Sequence, residues 1–579
     1  MNTLKEKIIE ELDVKRSMNH IRWLTENTPH RISGTGQDRT AAEYIVNEMK
    51  SYGCEAKLLE FETYNSRLGT SEMTLLTPEK KVIESMPCCH IEPTSPEGDI
   101  YELIYVGAGG EEDYKGKDVK GKAVLVEVSY APATPEKAMI AYRKGAKAMI
   151  CMNWGRKDEN VICMRGLKGV WGNPTTESFG KIPKISGCSI TRKDGEYLRN
   201  LYLSGEKIEV KLKITAQRLW EKLPQPIGIV KGKEEPEKFL LVTGHLDAWD
   251  PGVTCNATGD ATMLEMVRVF SKFKDELKRS IWFVFWNGHE IAEAAGSTWF
   301  ADNYWDQLSD NCIGYINIDS TGMKYADEYE VDVSRELSEY SAETVKEAIG
   351  HIVDARPMAK IADQSFFGMG IPSVFGRVGF KKEIIEENHG ATLGWWNHTV
   401  KDGLDKVDEN NMELDNKVQA LSLLGMVNSV ILPYNFDKTA KDIYEKLKNF
   451  EPYAKDTVDI TALVRESATL VDNVEKLNSV IAGYDEENKN ADKINAVLMK
   501  LSRTLTSPFY TACDRYSQDS YGLSILSKPI PALYPIVEMS KMSDEDTEFK
   551  LLRTEMLRNR NRLLDSLKDA NEYILSVVK

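Results

Sequence analysis

The chain has 579 residues and a formal net charge of −16, with 42% hydrophobic and 28% charged residues. Its length predicts several domains, and its composition is typical of a soluble globular protein. The excess of negative charge excludes a nucleic-acid binder, because binding phosphates requires a basic surface.

The cysteines and the amino terminus bear on the cellular compartment. The nine cysteines are odd in number and scattered, and no pair has C-x-x-C spacing, which favours a reducing compartment. Residues 1–11 have the pattern of a charged amphipathic helix rather than that of a signal peptide. The longest apolar runs are too short to cross a bilayer. We therefore expect a cytoplasmic protein that does not bind membranes.

The first 220 residues predict the start of one domain and a second domain inserted into it. Residues 1–65 read as a helix, a loop at 30–36, a helix at 39–52 and a strand. The next segment is rich in strands, with a βα unit at 123–152 and alternating apolar residues at 208–214. We expect an α/β domain formed by residues 1–65 and 220–433, interrupted by an insertion at 66–219.

Potential metal ligands follow several apolar runs of the α/β domain. Runs at 239–242, 281–286 and 313–318 precede His245, Glu290 and Asp319, and Trp395 and Trp396 precede His398. Parallel strands bring their carboxyl ends to one edge of a sheet. The fold class predicted is α/β, with a mainly parallel sheet flanked by helices. The side chains at its edge would form a metal site.

Residues 434–579 predict a helical domain. Apolar residues recur at spacings of three, four and seven after an acidic helix start at 543–546. They are Phe549, Leu552, Met556, Leu563, Leu567, Ala570 and Ile574. Such a face is usually buried against partner helices, and it is less often a surface for self-association.

A hydrolytic two-zinc site needs ligands for each metal, a shared ligand and a base for water. His245 and Asp319 suit one metal, and Glu290 and His398 suit the other. Asp247 lies two residues from His245 and could orient its ring. Cys255, at the start of a helix, stands where a shared ligand is expected. Each of these residues, taken alone, also fits a structural role, such as a turn, a cap or a buried thiol.

Motifs across the chain resemble the zinc aminopeptidase family that includes the glutamate carboxypeptidases. The insertion resembles a protease-associated domain, and the helical tail resembles the dimerisation domain of glutamate carboxypeptidase and the transferrin receptor. The motifs that carry the resemblance lie at 244–252, 256–261, 264–265, 288–290, 296–297, 317–319, 363–367, 370–373 and 398–402.

This resemblance implies a set of site residues. The metal ligands it implies are His245, Asp319, Glu290 and His398, with Asp247 as the residue that orients a ligand. The sequence departs from the family at three positions. They are Cys255 at the metal-bridging Asp, His289 at the catalytic Glu, and Asn397 at a Tyr that holds the tetrahedral intermediate.

The departures leave the metal and the reaction open. The Cys255 thiolate could bridge two metals or bind one, and sulfur, imidazole and carboxylate suit zinc but also iron, cobalt or nickel. We therefore expect one or two divalent metals per chain, with zinc favoured. His289 can act as a base or as a further ligand, and Asn397 can donate a hydrogen bond to an oxyanion.

The predicted function is metal-dependent hydrolysis of a peptide-like or amide C–N bond in a small substrate, by a homodimer joined through the C-terminal helices. Arg377 and Trp396 are candidate substrate-binding residues. One alternative is a repurposed metalloenzyme, such as a lyase or a redox enzyme, on the same fold. Another is a dimeric binding or scaffold protein without catalysis, which resembles the transferrin receptor in this respect.

Overall fold

The computed structural model describes residues 3–360, 362–484, 490–520 and 528–578. Its strands are β1 (Glu55–Thr77), β2 (Lys81–Ile83), β3 (Ser85–Pro87), β4 (Asp99–Tyr105), β5 (Ala123–Glu127), β6 (Ala148–Met152), β7 (Ser186–Ile190), β8 (Glu209–Val230), β9 (Glu235–His245), β10 (Arg279–Trp286), β11 (Cys312–Asn317), β12 (Glu328–Val333), β13 (Ala355–Pro357) and β14 (Ser373–Gly379).

Helices cover the sheet and form the C-terminal part of the chain. They are α1 (Leu4–Glu11), α2 (Val14–Asn27), α3 (Gln37–Ser51), α4 (Thr134–Arg143), α5 (Arg192–Leu203), α6 (Thr258–Lys272), α7 (Ala295–Asn303), α8 (Trp305–Asn311), α9 (Ser338–Ile349), α10 (Lys382–Glu387), α11 (Glu409–Asn428), α12 (Asp437–Ala454), α13 (Thr461–Ala482), α14 (Ala491–Tyr510), α15 (Pro535–Met539) and α16 (Thr547–Val578). Among the described residues, we find no helix with the length and apolarity needed to span a membrane.

The sheet has the order β13-β12-β14-β11-β9-β10-β8-β4-β5-β6-β7-β3, and β1 pairs with β8. Strands β10, β9, β11 and β14 are parallel at its centre. β8 runs antiparallel to its neighbours, and β12 runs antiparallel to β14 but parallel to β13. The apolar run of β9 is buried on both faces, as expected of a parallel strand with helices on both sides. The predicted mainly parallel α/β fold is confirmed.

Two long strands join the inserted part to the central sheet. β1 has 23 residues and β8 has 22, and they pair antiparallel over most of their length. β4 continues the sheet from β8 into the parallel strands β5, β6 and β7, which have a hydrophobic core of their own. The predicted boundaries at 65/66 and 219/220 fall inside β1 and β8. The insertion is therefore held by shared strands rather than by loops alone.

The apolar face predicted for the last helix is largely buried against other helices of the same chain. Helix α16 packs against α13 and α14. Of the predicted face, Leu552 is partly exposed and the other six residues are buried. The opposite side of α16 carries Leu551, which is 68% exposed.

Leu567→Ala should lower the free energy of unfolding by about 2–5 kcal/mol, because it removes a fully buried side chain and leaves a cavity. Urea denaturation followed by far-UV circular dichroism measures this loss. Leu551→Ala on the same helix is the matched control and should change stability by less than about 0.5 kcal/mol. Equal effects of the two substitutions would contradict the packing of α16.

Candidate metal centre

The parallel register brings three strand ends to one edge of the sheet. His245, the last residue of β9, pairs with Trp286, the last residue of β10, and Asn317 at the end of β11 pairs with Thr243. The side chains that follow these ends therefore point into one region. A loop at 395–399, before α11, supplies His398 from the side.

The Cys255 thiol lies at the centre of this region. Its Sγ is 3.6 Å from Nε2 of His245 and 3.6 Å from Nε2 of His398. The same sulfur is 3.4 Å from Oε1 of Glu290 and 4.0 Å from Oδ1 of Asp319. Cys255 is thus shared by two sets of donors, one with His245 and Asp319 and the other with Glu290 and His398.

The donor set fits two divalent metals that share the sulfur. In a tetrahedral zinc site, adjacent sulfur and nitrogen ligand atoms stand about 3.6 Å apart, given Zn–S of about 2.3 Å and Zn–N of about 2.0–2.1 Å. Both Cys255–histidine distances have this value. Within each set, Nε2 of His245 is 3.7 Å from Oδ1 of Asp319, and Nε2 of His398 is 2.9 Å from Oε1 of Glu290.

The backbone of Asp247, and not its carboxylate, orients His245. The Nδ1 atom of His245 donates to the Asp247 carbonyl at 2.7 Å, which leaves Nε2 free to face Cys255. The Asp247 carboxylate instead accepts from the backbone N–H groups of His289 at 3.0 Å and Glu290 at 3.1 Å, and from the Ser33 hydroxyl at 2.7 Å. Asp247 therefore contacts the His245 ring through its backbone carbonyl.

The segment before α6 is folded to present Cys255. It is an irregular turn, Val253–Ala257, in which the backbone of Cys255 and Asn256 is not helical. Asp402 accepts from the N–H groups of Thr254 at 2.9 Å and Cys255 at 3.2 Å. The Asn256 side chain donates to the carbonyls of His245 and Ile318, both at 3.2 Å. These contacts fix the thiol relative to the ends of β9 and β11.

His289 lies over the ring of His245 and is paired with Asp363. The two imidazole rings are stacked with centroids 4.1 Å apart. Nδ1 of His289 is 3.0 Å from Oδ2 of Asp363, a residue far away in the sequence. Burial opposes protonation, but Asp363 raises the pKa of His289 well above its ordinary value. His289 is therefore held by a carboxylate, with its Nε2 directed away from that partner.

The centre concentrates negative charge in a buried place. Burial raises the pKa of the Cys255 thiol well above its ordinary value, and Asp319 and Glu290 act in the same direction. For Glu290 burial acts against ionisation, but the charge and hydrogen bond of His398 lower its pKa. For Asp319 burial is likewise outweighed by His245. A cation at this place would neutralise carboxylates that the protein leaves only partly compensated.

Comparison with known proteins agrees with this fold. Residues 227–421 match peptidase family M28, and residues 100–198 match the PA domain. The chain carries a peptidase family M28 domain with a PA domain.

The relatives of this M28 chain are distant. A probable glutamate carboxypeptidase, VP8, of Zea mays is 24% identical over 72% of the chain and 68% of its own length. Aminopeptidase YwaD of Bacillus subtilis is 25% identical over 75% of the chain and 90% of its own length. Among solved structures, a peptidase M28 precursor from Shewanella amazonensis has a TM-score of 0.60 at 17% identity, over 73% of this chain and 96% of that one.

A cavity of about 290 Å³ opens onto the M28 centre. Asn397 and Arg377 line it together with the ligand residues Glu290, Asp319 and His398. The Asn397 amide is fully buried, and neither of its polar atoms has a hydrogen-bond partner among the described residues. The structure thus leaves this amide available to a molecule in the cavity.

The two predicted substrate-binding residues are placed differently. Arg377 lines the cavity but donates to the Asp319 carbonyl at 3.2 Å and pairs with Glu330 at 3.2 Å, so that it supports a ligand residue. Trp396 is not part of the lining. Its ring is buried, and Nε1 donates to Thr254 at 3.2 Å, so that it packs under the Cys255 segment.

Sequence reasoning missed Arg165 and Trp154 of the insertion, which also line the cavity. Asp363 belongs to one of the motifs that carry the family resemblance, but no role was predicted for it. No periodic pattern marks these residues, since their place depends on contacts between distant segments. The one sequence feature that could have indicated their role is that both lie in the loop after β6.

We expect Cys255→Ala to bind zinc much more weakly than the wild type and to hold fewer metals per chain, because the sulfur lies within both donor sets. Loss of a direct ligand should cost more than the roughly 10- to 100-fold that removing an orienting partner costs. Elemental analysis and competition with a chelator measure both quantities. Cys54→Ala, at another buried thiol, should leave both unchanged. Full zinc binding by Cys255→Ala would refute a ligand role.

Proposed function

We propose that the chain is a metal-dependent hydrolase that cleaves a peptide-like or amide C–N bond of a small substrate. The observation that carries this proposal is the position of Cys255, whose sulfur is 3.6 Å from both histidines and is shared by two sets of three donors. Membership of the M28 domain in a peptidase family supports the same reaction class.

The residues that would hold the metals are His245, Asp319, Glu290 and His398, with Cys255 shared between the two sets. A divalent metal bound there supplies Lewis-acid polarisation of a carbonyl group and lowers the pKa of water. Zinc suits the mixture of sulfur, nitrogen and oxygen donors.

His289 is the proton carrier in this proposal. Asp363 lies 3.0 Å from its Nδ1, so Nε2 of the neutral ring is the atom that would take a proton from the attacking water and return it to the leaving nitrogen. Cations bound at the centre would oppose the effect of Asp363 on the pKa of His289 and favour this neutral ring. The Asp247 carboxylate fixes the backbone of His289 and thereby the position of the ring. This role replaces that of a glutamate at the same position in the family.

Asn397 completes the proposed mechanism. Its unpartnered amide lines the cavity beside His398 and can donate to the carbonyl oxygen of the scissile bond as negative charge develops there. An amide is a weaker acid than a tyrosine hydroxyl, so a larger part of that charge must be stabilised elsewhere in the site.

The replacement of the bridging carboxylate by a thiolate favours a second candidate, a metalloenzyme with different chemistry on the same fold. A soft sulfur ligand beside imidazoles also suits iron, cobalt or nickel. The metal present in protein purified without added metal, and without oxygen, distinguishes the two. Zinc supports the hydrolase, whereas a redox-active metal together with no hydrolysis of any peptide would replace it.

For the hydrolase, His289→Gln should lower kcat by about 100- to 10,000-fold, and Asn397→Ala by about 100- to 1,000-fold, with the metal content unchanged. The measurement is hydrolysis of a panel of short peptides, unblocked, acetylated or amidated, by protein loaded with zinc.

The exposed residues His351 and Asn410 provide the controls. His351→Gln and Asn410→Ala should retain full activity. Wild-type activity in His289→Gln would remove the proposed proton carrier, and hydrolysis at the wild-type rate by protein stripped of metal would refute the metal-dependent reaction.

A further inference from the structure

A fully buried lysine of the PA insertion reaches the loop that follows a candidate metal ligand. Lys168 is 0% exposed, and its ammonium donates to the carbonyl oxygen of Ala292 at 2.6 Å and to that of Gly172 at 2.5 Å. Ala292 lies two residues after Glu290. Burial lowers the pKa of Lys168 to about 7, and the charge of Glu293 opposes this effect. Because burying an ammonium carries a desolvation cost, a lysine here indicates that its two contacts matter to the loop they hold.

The loop after Glu290 has a backbone conformation that needs support. Glu293 and Ala294 have φ values of 51° and 57°, in the left-handed region that disfavours residues other than glycine. The carbonyl of Glu293 accepts from the N–H of Gly172 at 2.7 Å, beside the Ala292 carbonyl that Lys168 binds. The insertion therefore holds two successive carbonyls of this loop, and it fixes the backbone directly after Glu290.

The same segment of the insertion also holds the loop of His398. The N–H of Met164 donates to the carbonyl of His398 at 2.8 Å, and the thiol of Cys163 donates to the carbonyl of Asn397 at 3.4 Å. Residues 163–172 thus contact the backbone at or beside two ligand residues, Glu290 and His398, that belong to one donor set with Cys255.

The other donor set is held from within the M28 domain. The carbonyl of Asp247 accepts from the His245 ring, and Arg377 donates to the carbonyl of Asp319. The Ser320 hydroxyl donates to Oδ1 of Asp319 at 2.8 Å. In the part of the chain that the structure describes, no residue of the insertion forms a hydrogen bond with His245 or Asp319. The two candidate metal positions therefore differ in what supports them.

We propose that Lys168 is a positioning residue for one of the two metals, the one bound by Glu290 and His398, and that the PA insertion thereby controls the occupancy of this position alone. This inference rests on the proposed function, from which it takes the two donor sets. A ligand binds a metal tightly when its surroundings hold it in place, so freeing the backbone after Glu290 weakens the metal that this residue binds. Because Cys255 is common to both sets, the effect has to be measured at one position at a time.

The experiment compares zinc affinity in two backgrounds that each retain one donor set. His245→Ala removes a ligand from one set, and His398→Ala removes a ligand from the other. With His245→Ala, the further change Lys168→Met should weaken the remaining zinc about 10- to 100-fold, as expected when an outer partner of a ligand is lost. With His398→Ala, it should leave the affinity unchanged. Competition with chelators of graded affinity, followed by elemental analysis, measures both.

The chain with all its ligands gives a second measurement. Lys168→Met should release one of two zincs at a lower chelator concentration than the wild type does, and the other zinc at the same concentration. Equal weakening of both zincs, or of neither, would overturn the inference. A wild-type chain that binds a single metal would overturn it as well.

Lys137→Met is the matched control. Lys137 is another fully buried lysine of the insertion, and its ammonium likewise donates to two carbonyls, those of Ala108 and Tyr130, which belong to the insertion itself. Lys137→Met should lower the free energy of unfolding as Lys168→Met does, yet leave both zinc affinities unchanged. Loss of zinc in both variants would mean that metal binding only follows overall stability.

Lys168→Gln separates the hydrogen bond from the rest of the side chain. Its amide retains N–H donors on a side chain one atom shorter than lysine, and it should recover part of the zinc affinity lost in Lys168→Met. Far-UV circular dichroism and size-exclusion chromatography establish that each variant is folded. If neither variant of Lys168 folds while Lys137→Met does, Lys168 serves folding rather than the metal, and the inference is overturned.

Failure of this inference and failure of the proposed function give different results. Selective loss of one zinc in Lys168→Met, with no hydrolysis of any peptide by the wild type loaded with two zincs, supports the positioning role and counts against the hydrolase. Metal-dependent hydrolysis by a chain in which Lys168→Met changes neither zinc affinity supports the hydrolase and overturns the positioning role.

Discussion

The candidate centre depends on the hydrogen bonds that the Asp247 carboxylate accepts. This carboxylate accepts from the N–H groups of His289 and Glu290, while the carbonyl of the same residue fixes His245. One residue therefore couples the end of β9 to the segment after β10. Burial raises its pKa, and the charges of His245 and His289 oppose this effect. The two histidines that Asp247 positions therefore favour the ionised form of its carboxylate.

A sulfur atom at the shared position differs from a carboxylate in how it can bind two metals. An aspartate offers one oxygen to each of two metals, whereas Cys255 offers a single atom to both. The short cysteine side chain therefore has to be brought further into the site, and Asp402 and Asn256 hold its backbone there. Because burial raises the pKa of the thiol, binding must displace its proton, and metal affinity will fall as the solution becomes more acidic.

Much of the fold, and the gathering of the candidate ligands at one edge of the sheet, could be predicted from the sequence, because strands and their ends follow local patterns. The apolar runs before His245 and Asp319 are strands, and parallel pairing brings their ends together. Contacts between distant segments could not be predicted in this way. The pairing of His289 with Asp363 joins loops that follow different strands, and the sequence does not show that Asp247 contacts His245 through its carbonyl rather than through its side chain. Trp396 was expected at the substrate because it precedes His398, but its ring packs inward.

The shared strands explain how residues of the insertion can be held at the cavity of the metal centre. A domain attached through flexible loops would hold an arginine at a variable distance from the metals. Here β1 and β8 continue from the central sheet into the insertion, and the backbone around Met164 is bonded to the His398 loop. Arg165 is consequently positioned by the same framework as the metal ligands. The M28 domain holds the candidate metal donors, and the PA insertion supplies part of the lining of the cavity that opens onto them.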